Sequence, residues 1–374
     1  DMNTDIITTH FDYHSIDANL LKLDILGHDD PTMIRMLEDL TGLDAQTIPL
    51  DNPEVMSLFK STEALGIRPE DIGGCPLGCL GIPEFGTDFV IQMLLDTKPQ
   101  SFSDLIRISG LSHGTDVWLG NAQTLIEEGK ATISTAICTR DDIMIYLIDK
   151  GLESELSFTI MESVRKGKGL KPEWEKEMTD HGVPDWYIWS CKKIKYMFPK
   201  AHAAAYVMMA YRIAYYKIFY PLAYYAAYFS IRASAFSYEL MCMGKEKLEY
   251  YMEDYQKRAD TLTKKEQDTY KDMKNVQEMY ARGFEFVPVD LYKAQAHRFQ
   301  IVDGKLMPAL DTIEGLGDKA ADAVVLAARD GKFLSKDDFR QRTKVSKTVI
   351  DFMDDLGIFG DLPETNQISL FDFQ

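Results

Sequence analysis

A stretch of the chain without any acidic residue lies between Trp186 and Tyr238, in a protein that is otherwise strongly acidic. The 374 residues include 59 aspartates and glutamates, so about eight would be expected in a stretch of this length. The stretch carries seven lysines and arginines, which makes it +7 within a net charge of -18. Because charge segregated in this way favours a polyanionic partner, we expect this stretch to face phosphate groups.

The centre of the acid-free stretch predicts a helix that begins at a phosphate site. Pro199 suits the first position of a helix, and the alanines that follow propagate one. Lys200 would lie in the first turn, where free backbone N–H groups and the helix dipole favour phosphate. His202 and Tyr206 would share a face, so a flat surface for a base would lie beside charge for a triphosphate. The alternative, a buried helix pair, fits residues 203–233 but leaves the missing acids unexplained.

Length and composition favour a soluble protein of two or three domains, mainly α with small β elements. The sequence contains no run of 18 apolar residues, so no membrane-spanning helix is predicted. Its five cysteines are mostly scattered, which fits a reducing cytosol. We therefore expect a cytoplasmic protein without a membrane partner. Cys75 and Cys79 have no second Cys or His pair at zinc spacing nearby, which argues against metal there. Residues 6–12 and 20–27 look like strands without an evident partner, so the chain is expected to be the C-terminal part of a larger protein.

The remaining pattern divides the chain along its length. Helical periodicity alternates with glycine-rich breaks over residues 51–240, and residues 239–283 predict one or two long, charged, exposed helices. Short strands are expected over residues 284–302, with a turn at Asp303 and Gly304. Residues 309–360 are helical again, and the end of the chain is an acidic tail.

Residues 313–319 have the pattern of a helix-hairpin-helix, in which paired glycines precede a helix that carries a lysine. Glycines let backbone approach a phosphate closely, and the helix start supplies N–H groups, so such a hairpin binds duplex DNA without reading its sequence. An ordinary helix connection is the alternative. The residues expected to contact DNA are Gly315, Leu316, Gly317 and Lys319. A second copy over residues 345–359 lacks the paired glycines, so packing is expected there.

Three further sites have two interpretations each. A basic loop that contains Arg165, Lys166 and Lys168 could hold phosphates or be a solvated turn. Ser112 and His113 lie in a glycine-rich segment that could line a nucleotide pocket or be a plain loop. Asp24 is an isolated carboxylate at the end of the second strand-like segment. By itself it is as consistent with a turn cap as with a metal ligand, because two-metal chemistry needs several converging carboxylates.

The last residues combine polar and apolar groups in an order that favours a docking peptide. Gln367, Ser369, Leu370 and Phe371 lie on a tail without periodicity, where exposed Leu and Phe cost solubility unless a partner buries them. Bacterial sliding-clamp ligands resemble this pattern closely. Packing against the parent domain is the alternative.

Several segments, taken together and in this order, resemble one known family. They are residues 21–27 (LKLDILG), 81–87 (GIPEFGT), 111–118 (LSHGTDVW), 198–206 (FPKAHAAAY), the hairpin at 313–319 and the tail at 367–371. The chain resembles, over essentially all its length, the C-terminal part of the bacterial replicative DNA polymerase III alpha subunits of the PolC type.

The resemblance implies an organisation and a set of roles. Residues 1–44 would end the palm, 45–285 would form helical fingers that bind nucleotide, 286–361 would form a duplex-binding helix-hairpin-helix domain, and 362–374 would bind the clamp. Asp24 would be the last of three metal-binding aspartates, which hold Mg²⁺ in the full-length enzyme. With one of the three, the chain alone is expected to be inactive as a DNA-directed DNA polymerase.

The implied site and partners follow from the same resemblance. Lys200, with Arg165, Lys166 and Lys168, would neutralise the triphosphate, Tyr206 and His202 would meet the base or sugar, and Ser112 and His113 would line the pocket. Partners would be primer–template DNA, dNTP, the sliding clamp (the beta subunit) and other replisome subunits. Two alternatives are a non-catalytic module that binds DNA and tethers the clamp, and a nucleotide-binding enzyme unrelated to DNA.

Overall fold

The computed structural model describes residues 3–23, 25 and 27–366. The prediction of a mainly α-helical chain with small β elements is confirmed, and no helix in this part of the chain is long and apolar enough to cross a membrane. The elements are α1 (Tyr13–Ile16), α2 (Asp30–Thr41), α3 (Pro53–Ser57), α4 (Asp88–Thr97), α5 (Phe102–His113), α6 (Gln123–Glu127), α7 (Arg140–Asp149), α8 (Ser154–Arg165), α9 (Pro172–Asp180), α10 (Asp185–Lys193), α11 (Lys200–Phe219), α12 (Pro221–Ala227), α13 (Tyr238–Met241), α14 (Lys245–Lys257), α15 (Lys264–Ala281), β1 (Gln300–Val302), β2 (Lys305–Met307), α16 (Asp318–Arg329), α17 (Lys336–Thr343) and α18 (Lys347–Asp355).

Helix boundaries follow local capping chemistry. The Asn52 side chain accepts hydrogen bonds from the backbone N–H groups of Glu54 and Val55, which starts α3. Thr263 and Glu266 form a reciprocal capping box at the start of α15. The two charged helices predicted between residues 239 and 283 are α14 and α15. They are not fully exposed, because both bury apolar side chains on one face.

The prediction of strands near the start of the chain is wrong for the described residues. The segment before α1 has no regular structure, and Leu21, Leu23 and Ile25 are exposed and unpaired in any sheet. A strand needs a neighbour to bond its backbone, and the described residues supply none at this place. The sheet that they do form is the antiparallel pair β1–β2, with Ile301 opposite Leu306. Its turn is at Asp303 and Gly304, as predicted.

Helix α11 lies between two of the three hydrophobic cores. Val207 and Ala210 pack into a first core that extends from α3 to α10. Ile213 and Tyr216, one turn further on, pack into a second core built on α2, α12 and α15. A third core surrounds the hairpin and α16 to α18. Because α11 touches both of the first two cores, its N-terminal turn is held rigidly relative to α2 and α5.

Lys217 corrects the expectation that the whole acid-free stretch faces a polyanion. Its side chain is fully buried, and Nζ donates to the carbonyls of Gly78 at 2.8 Å and Leu80 at 2.7 Å. It lies 2.9 Å from Oε1 of Glu278, to which the Tyr225 hydroxyl also donates. Lys217 therefore connects α11 to α15 and to the loop that contains Gly78 and Leu80. The exposed cations of the stretch are Lys192, Lys193, Lys195 and Lys200.

Candidate nucleotide and DNA interface

The N-terminal turn of α11 lies against the start of α7. Lys200 is the first residue of α11, its side chain is exposed, and no carboxylate in the described chain lies within ion-pair distance of Nζ. Its backbone N–H donates to Oδ2 of Asp141 at 2.8 Å, and the Arg140 N–H points to the carbonyl of Phe198 at 3.4 Å. One backbone N–H at the start of α11 therefore already donates to a carboxylate. The group at this helix end that remains to bind an anion is mainly the Lys200 ammonium.

An aromatic row crosses the face beside Lys200. The rings of His113 and Phe198 are stacked at 4.6 Å, and those of Phe198 and Tyr206 at 6.2 Å. Tyr206 in turn stacks on His28 at 4.9 Å with an interplanar angle of 12°. His202 is exposed and meets Phe198 edge-on at 6.1 Å. The row joins the end of α5, the start of α11 and the segment that follows Asp24.

His113 is fixed at both ring nitrogens. Nε2 lies 2.9 Å from Oε2 of Glu84, and Nδ1 lies 2.8 Å from the carbonyl of Ser109. The hydrogen bond to Glu84 raises the pKa of His113, since a carboxylate stabilises the imidazolium. Ser112 is held nearby, because its hydroxyl donates to the same Ser109 carbonyl at 2.9 Å. Ser112 and His113 are therefore held in place and form a polar surface at the C-terminal end of α5, which we call the polar edge.

A cavity of about 290 Å³ opens beside this edge. Ser112, His113 and Glu84 line one side, and Arg232 and Lys271 line the other. Arg232 donates to the buried Asp30 at 2.8 Å. Burial raises the pKa of Asp30, and the Arg232 guanidinium opposes that effect.

The basic loop after α8 lies against Lys195. Arg165 makes two hydrogen bonds to Glu162, and Lys166 lies 3.2 Å from the same carboxylate, whereas Lys168 is exposed with no ion pair to the residues described. Gly167 has φ +72°, and a Cβ there would lie 2.7 Å from the Lys195 carbonyl. The loop therefore approaches the acid-free stretch at Lys195, five residues before Lys200.

The predicted hairpin has a positive-φ glycine followed by a helix. Gly315 has φ +89°, and a Cβ there would lie 2.7 Å from Cγ2 of Val349. Gly317 precedes α16 with ordinary backbone geometry and open space around it. Leu316 is buried in the third core, and Lys319 is exposed without an ion-pair partner among residues 3–23, 25 and 27–366. The packing role expected of residues 345–359 is confirmed, because Val345, Ile350, Met353 and Phe359 all lie in that core.

Some predicted residues lie outside the described part. These are Asp24, Gln367, Ser369, Leu370 and Phe371. The chain on either side is described: His28 stacks on Tyr206, and the carbonyls of Pro363 and Glu364 accept hydrogen bonds from Lys336 and Asp337 at the start of α17.

Sequence reasoning missed several residues of this face. Phe198 has a signal, since it lies between Lys195 and Lys200 in the acid-free stretch and immediately precedes Pro199. His28 lies four residues after Asp24, and Glu84 and Lys271 come from distant elements, so spacing alone could not have joined them.

Comparisons with known proteins agree with the fold and the hairpin. Residues 30–183 match the family of bacterial DNA polymerase III alpha subunit finger domains, and residues 283–368 match the helix-hairpin-helix motif family. Two proteins named DNA polymerase III PolC-type, from Caldanaerobacter subterraneus subsp. tengcongensis and Clostridium perfringens, are each 57% identical over 99% of this chain and 26% of their own length. A third, from Bacillus subtilis, is 57% identical over 97% of this chain and 25% of its own.

The finger-domain match and the helix-hairpin-helix domain define the class: the chain belongs to the bacterial DNA polymerase III alpha subunits. Within that class it belongs to the PolC type, as its identity to these relatives over nearly all its residues shows. It spans about a quarter of the length of the PolC-type relatives it matches.

Proposed function

We propose that this chain supplies the incoming-nucleotide site and part of the duplex grip of a DNA-directed DNA polymerase. The observation that supports this most strongly is the stacked row from His113 through Phe198 and Tyr206 to His28, beside the unpaired Lys200 ammonium. A row of flat rings next to a free cation suits a base and its phosphates. His28 brings this row to the segment that contains Asp24.

In this proposal each group has one task. Lys200 neutralises the triphosphate, Tyr206 and His202 meet the base or sugar, and His113, held by Glu84, lines the pocket edge with Ser112. Asp24 holds Mg²⁺ with carboxylates from other parts of the full-length enzyme, and the ion would neutralise charge on the transferred phosphate. Asp30, on the helix that follows, already pairs with Arg232 through Oδ1.

The duplex grip is proposed at Gly317 and Lys319. Gly317 leaves open space at the start of α16, where backbone N–H groups are available to a phosphate, and Lys319 adds an exposed cation in the first turn. Such contacts position the duplex without reading sequence. Gly315 shapes the turn instead of touching DNA, because its Cα faces Val349.

The tail is proposed as a tether to the sliding clamp. Residues 363 and 364 are anchored on the start of α17, and Leu370 and Phe371 follow six and seven residues after Glu364 in the sequence. Burial of two such side chains in a partner pocket would gain roughly 1.5–3 kcal/mol each, reduced by the cost of ordering the tail. A peptide of residues 363–374 should bind the bacterial clamp, and the paired changes Leu370→Ala and Phe371→Ala should abolish that binding.

A non-catalytic module that only binds DNA and tethers the clamp is the second candidate, and the hairpin favours it as much as the first. The two candidate functions make different predictions for the aromatic row, because a module that only tethers the clamp does not need it. Single-nucleotide incorporation by the full-length polymerase separates them.

The incorporation experiment compares Lys200→Ala with Lys264→Ala. Both lysines are exposed first residues of a helix, but Lys264 starts α15 and already pairs with Asp268. Charge-assisted bonds to phosphate are worth roughly 1.5–3 kcal/mol, so kcat/KM should fall about ten- to a hundredfold for Lys200→Ala only. Tyr206→Ala should also impair incorporation, and Tyr206→Phe should retain it. Normal kinetics for both Lys200→Ala and Tyr206→Ala would remove the nucleotide site from this face.

A further inference from the structure

The nucleotide proposal leaves most exposed cations of the acid-free stretch unused. Lys193 and Lys195 are exposed, and neither has a carboxylate within ion-pair distance in the described ranges. Lys192 differs, because it pairs with Glu175 at 2.8 Å. Two exposed aromatic side chains flank these lysines in the sequence: Trp189 is 38% exposed and Tyr196 is 47% exposed. We call Trp189, Lys193, Lys195 and Tyr196 the basic–aromatic strip.

The strip is held rigidly from beneath. Ile194 and Met197 are buried in the first core, so the residues between and beside them must point outward. Nζ of Lys193 lies 4.5 Å from the centre of the Trp189 ring. At the far end, Trp189 and Trp186 line a cleft of about 570 Å³ with Leu125. The charged residues of this cleft are Lys130 and two acids, of which Glu128 is paired with Lys130 and Asp185 lies at the start of α10.

The strip is continuous with the proposed nucleotide site. The Thr115 N–H donates to the Tyr196 carbonyl at 2.9 Å, and the Lys195 N–H donates to the Thr115 carbonyl at 3.0 Å. Thr115 directly follows the α5 end that carries Ser112 and His113, and Phe198 follows Tyr196 by two residues. The loop with Lys168 lies against Lys195 and widens the basic surface.

We propose that the basic–aromatic strip and the Trp186–Trp189 cleft bind the unpaired template strand as it approaches the nucleotide site. Cations beside exposed rings are the chemistry that binds single-stranded nucleic acid, since cations follow the phosphates and every base offers a flat face. The stretch of sequence that carries the strip contains no acid, which suits such a polyanion, and the strip adjoins the proposed nucleotide site. The direction in which the strand runs depends on the proposed nucleotide site. The binding of a single strand to this surface does not depend on that site.

The test measures the affinity of the full-length polymerase for primer–template DNA without nucleotide. The 5′ template overhang is varied from on the order of one to ten nucleotides, a range that covers the usual site sizes of such grooves. We expect the wild type to bind the longer overhang about tenfold more tightly. Trp189→Ala, and separately Lys193→Gln with Lys195→Gln, should reduce this gain to less than about threefold. The lysine pair should also lower the salt slope for the overhang by about 1.4, because each contact contributes about 0.7 on a single strand.

Matched controls carry the same chemistry outside the strip. Lys171 lies over the Trp174 ring at 5.0 Å, as Lys193 does over Trp189, and Tyr250 is an exposed tyrosine on α14. Lys171→Gln and Tyr250→Ala should keep the full overhang gain. The proposal is overturned if the strip variants keep the gain, if the wild type has none, or if an acidic peptide competes as well as a single strand of equal charge. Because no nucleotide is present, this result is independent of the Lys200→Ala kinetics.

Discussion

At the scale of single residues, the two hairpin glycines have different reasons to be glycine. Gly315 has φ +89° and faces Val349, so a side chain there is strained and displaces α18. Gly317 has ordinary backbone geometry and open space. Gly317→Ala should therefore weaken duplex binding with the midpoint of urea unfolding unchanged, whereas Gly315→Ala should lower that midpoint.

The comparison is made on purified variants by duplex titration and urea unfolding. Lys319→Ala serves as the charge control, since it should reduce the salt slope of duplex binding by about 0.9 without affecting stability. Unchanged duplex affinity in Gly317→Ala and Lys319→Ala would mean that this hairpin only packs.

Asp272 gives a prediction on pH. Its carboxylate is buried on α15 and accepts one backbone N–H, from Ala235 at 3.0 Å. Burial raises its pKa to about 7. The folded state therefore binds a proton more readily than the unfolded chain, so this group's contribution to stability is full below about pH 4 and is lost as pH rises to 7.

Asp272→Asn should remove that pH dependence. At pH 8 the variant should unfold at a higher urea concentration than the wild type, with a gain of up to roughly 4 kcal/mol. At pH 5 the two proteins should differ much less. If the wild type and Asp272→Asn differ in unfolding free energy by the same amount at pH 5 and pH 8, the Asp272 carboxylate is not the source of the pH dependence.

At the scale of elements, one buried ion pair joins α11 to α15. Glu278 accepts from Lys217 and from Tyr225, and none of the three is exposed to solvent. Burial lowers the pKa of Lys217, and Glu278 opposes this. Glu278→Gln leaves a buried ammonium uncompensated, which should cost about 3–5 kcal/mol.

A double-mutant cycle checks the pair. Lys217→Met combined with Glu278→Gln should cost less than the two single changes added together. The Glu278→Gln protein should also gain stability as pH rises toward 10, because the folded state then releases the proton of Lys217 before the unfolded chain does. If the two single changes lower the unfolding free energy additively, and the stability of Glu278→Gln does not rise with pH, the ion pair contributes little.

Elements with strong local signals were predictable. The capped start at Asn52, the turn at Asp303 and Gly304 and the helix after Pro199 all form where short-range chemistry favours them. The strands expected before residue 28 do not form in the residues that the structure describes there, because no neighbouring strand bonds their backbone. Lys217 was misjudged for a similar reason: one buried lysine among exposed ones cannot be recognised until α15 brings Glu278 to it.

At the scale of the whole molecule, the site depends on distant segments meeting. Lys200, His202 and Tyr206 could be predicted as a group because they share one helix, and Ser112 and His113 because their segment is small and polar. The row that unites them needs Phe198 and His28, which come from different elements, and only the packed fold brings them together. The basic loop at Arg165 has the composition of a phosphate site, and the fold brings it against Lys195, which the sequence pattern did not predict.

The central claim is that the incoming nucleotide lies on the aromatic row beside Lys200. Photo-crosslinking tests it most directly: a nucleotide with a photoreactive base is bound to the full-length polymerase on a primer that cannot be extended, and the modified residues are mapped by mass spectrometry. We predict modification within residues 198–206, which disappears when unlabelled nucleotide competes. Competed modification at the Trp186–Trp189 cleft or in α14 and α15, with none at residues 198–206, would contradict the account.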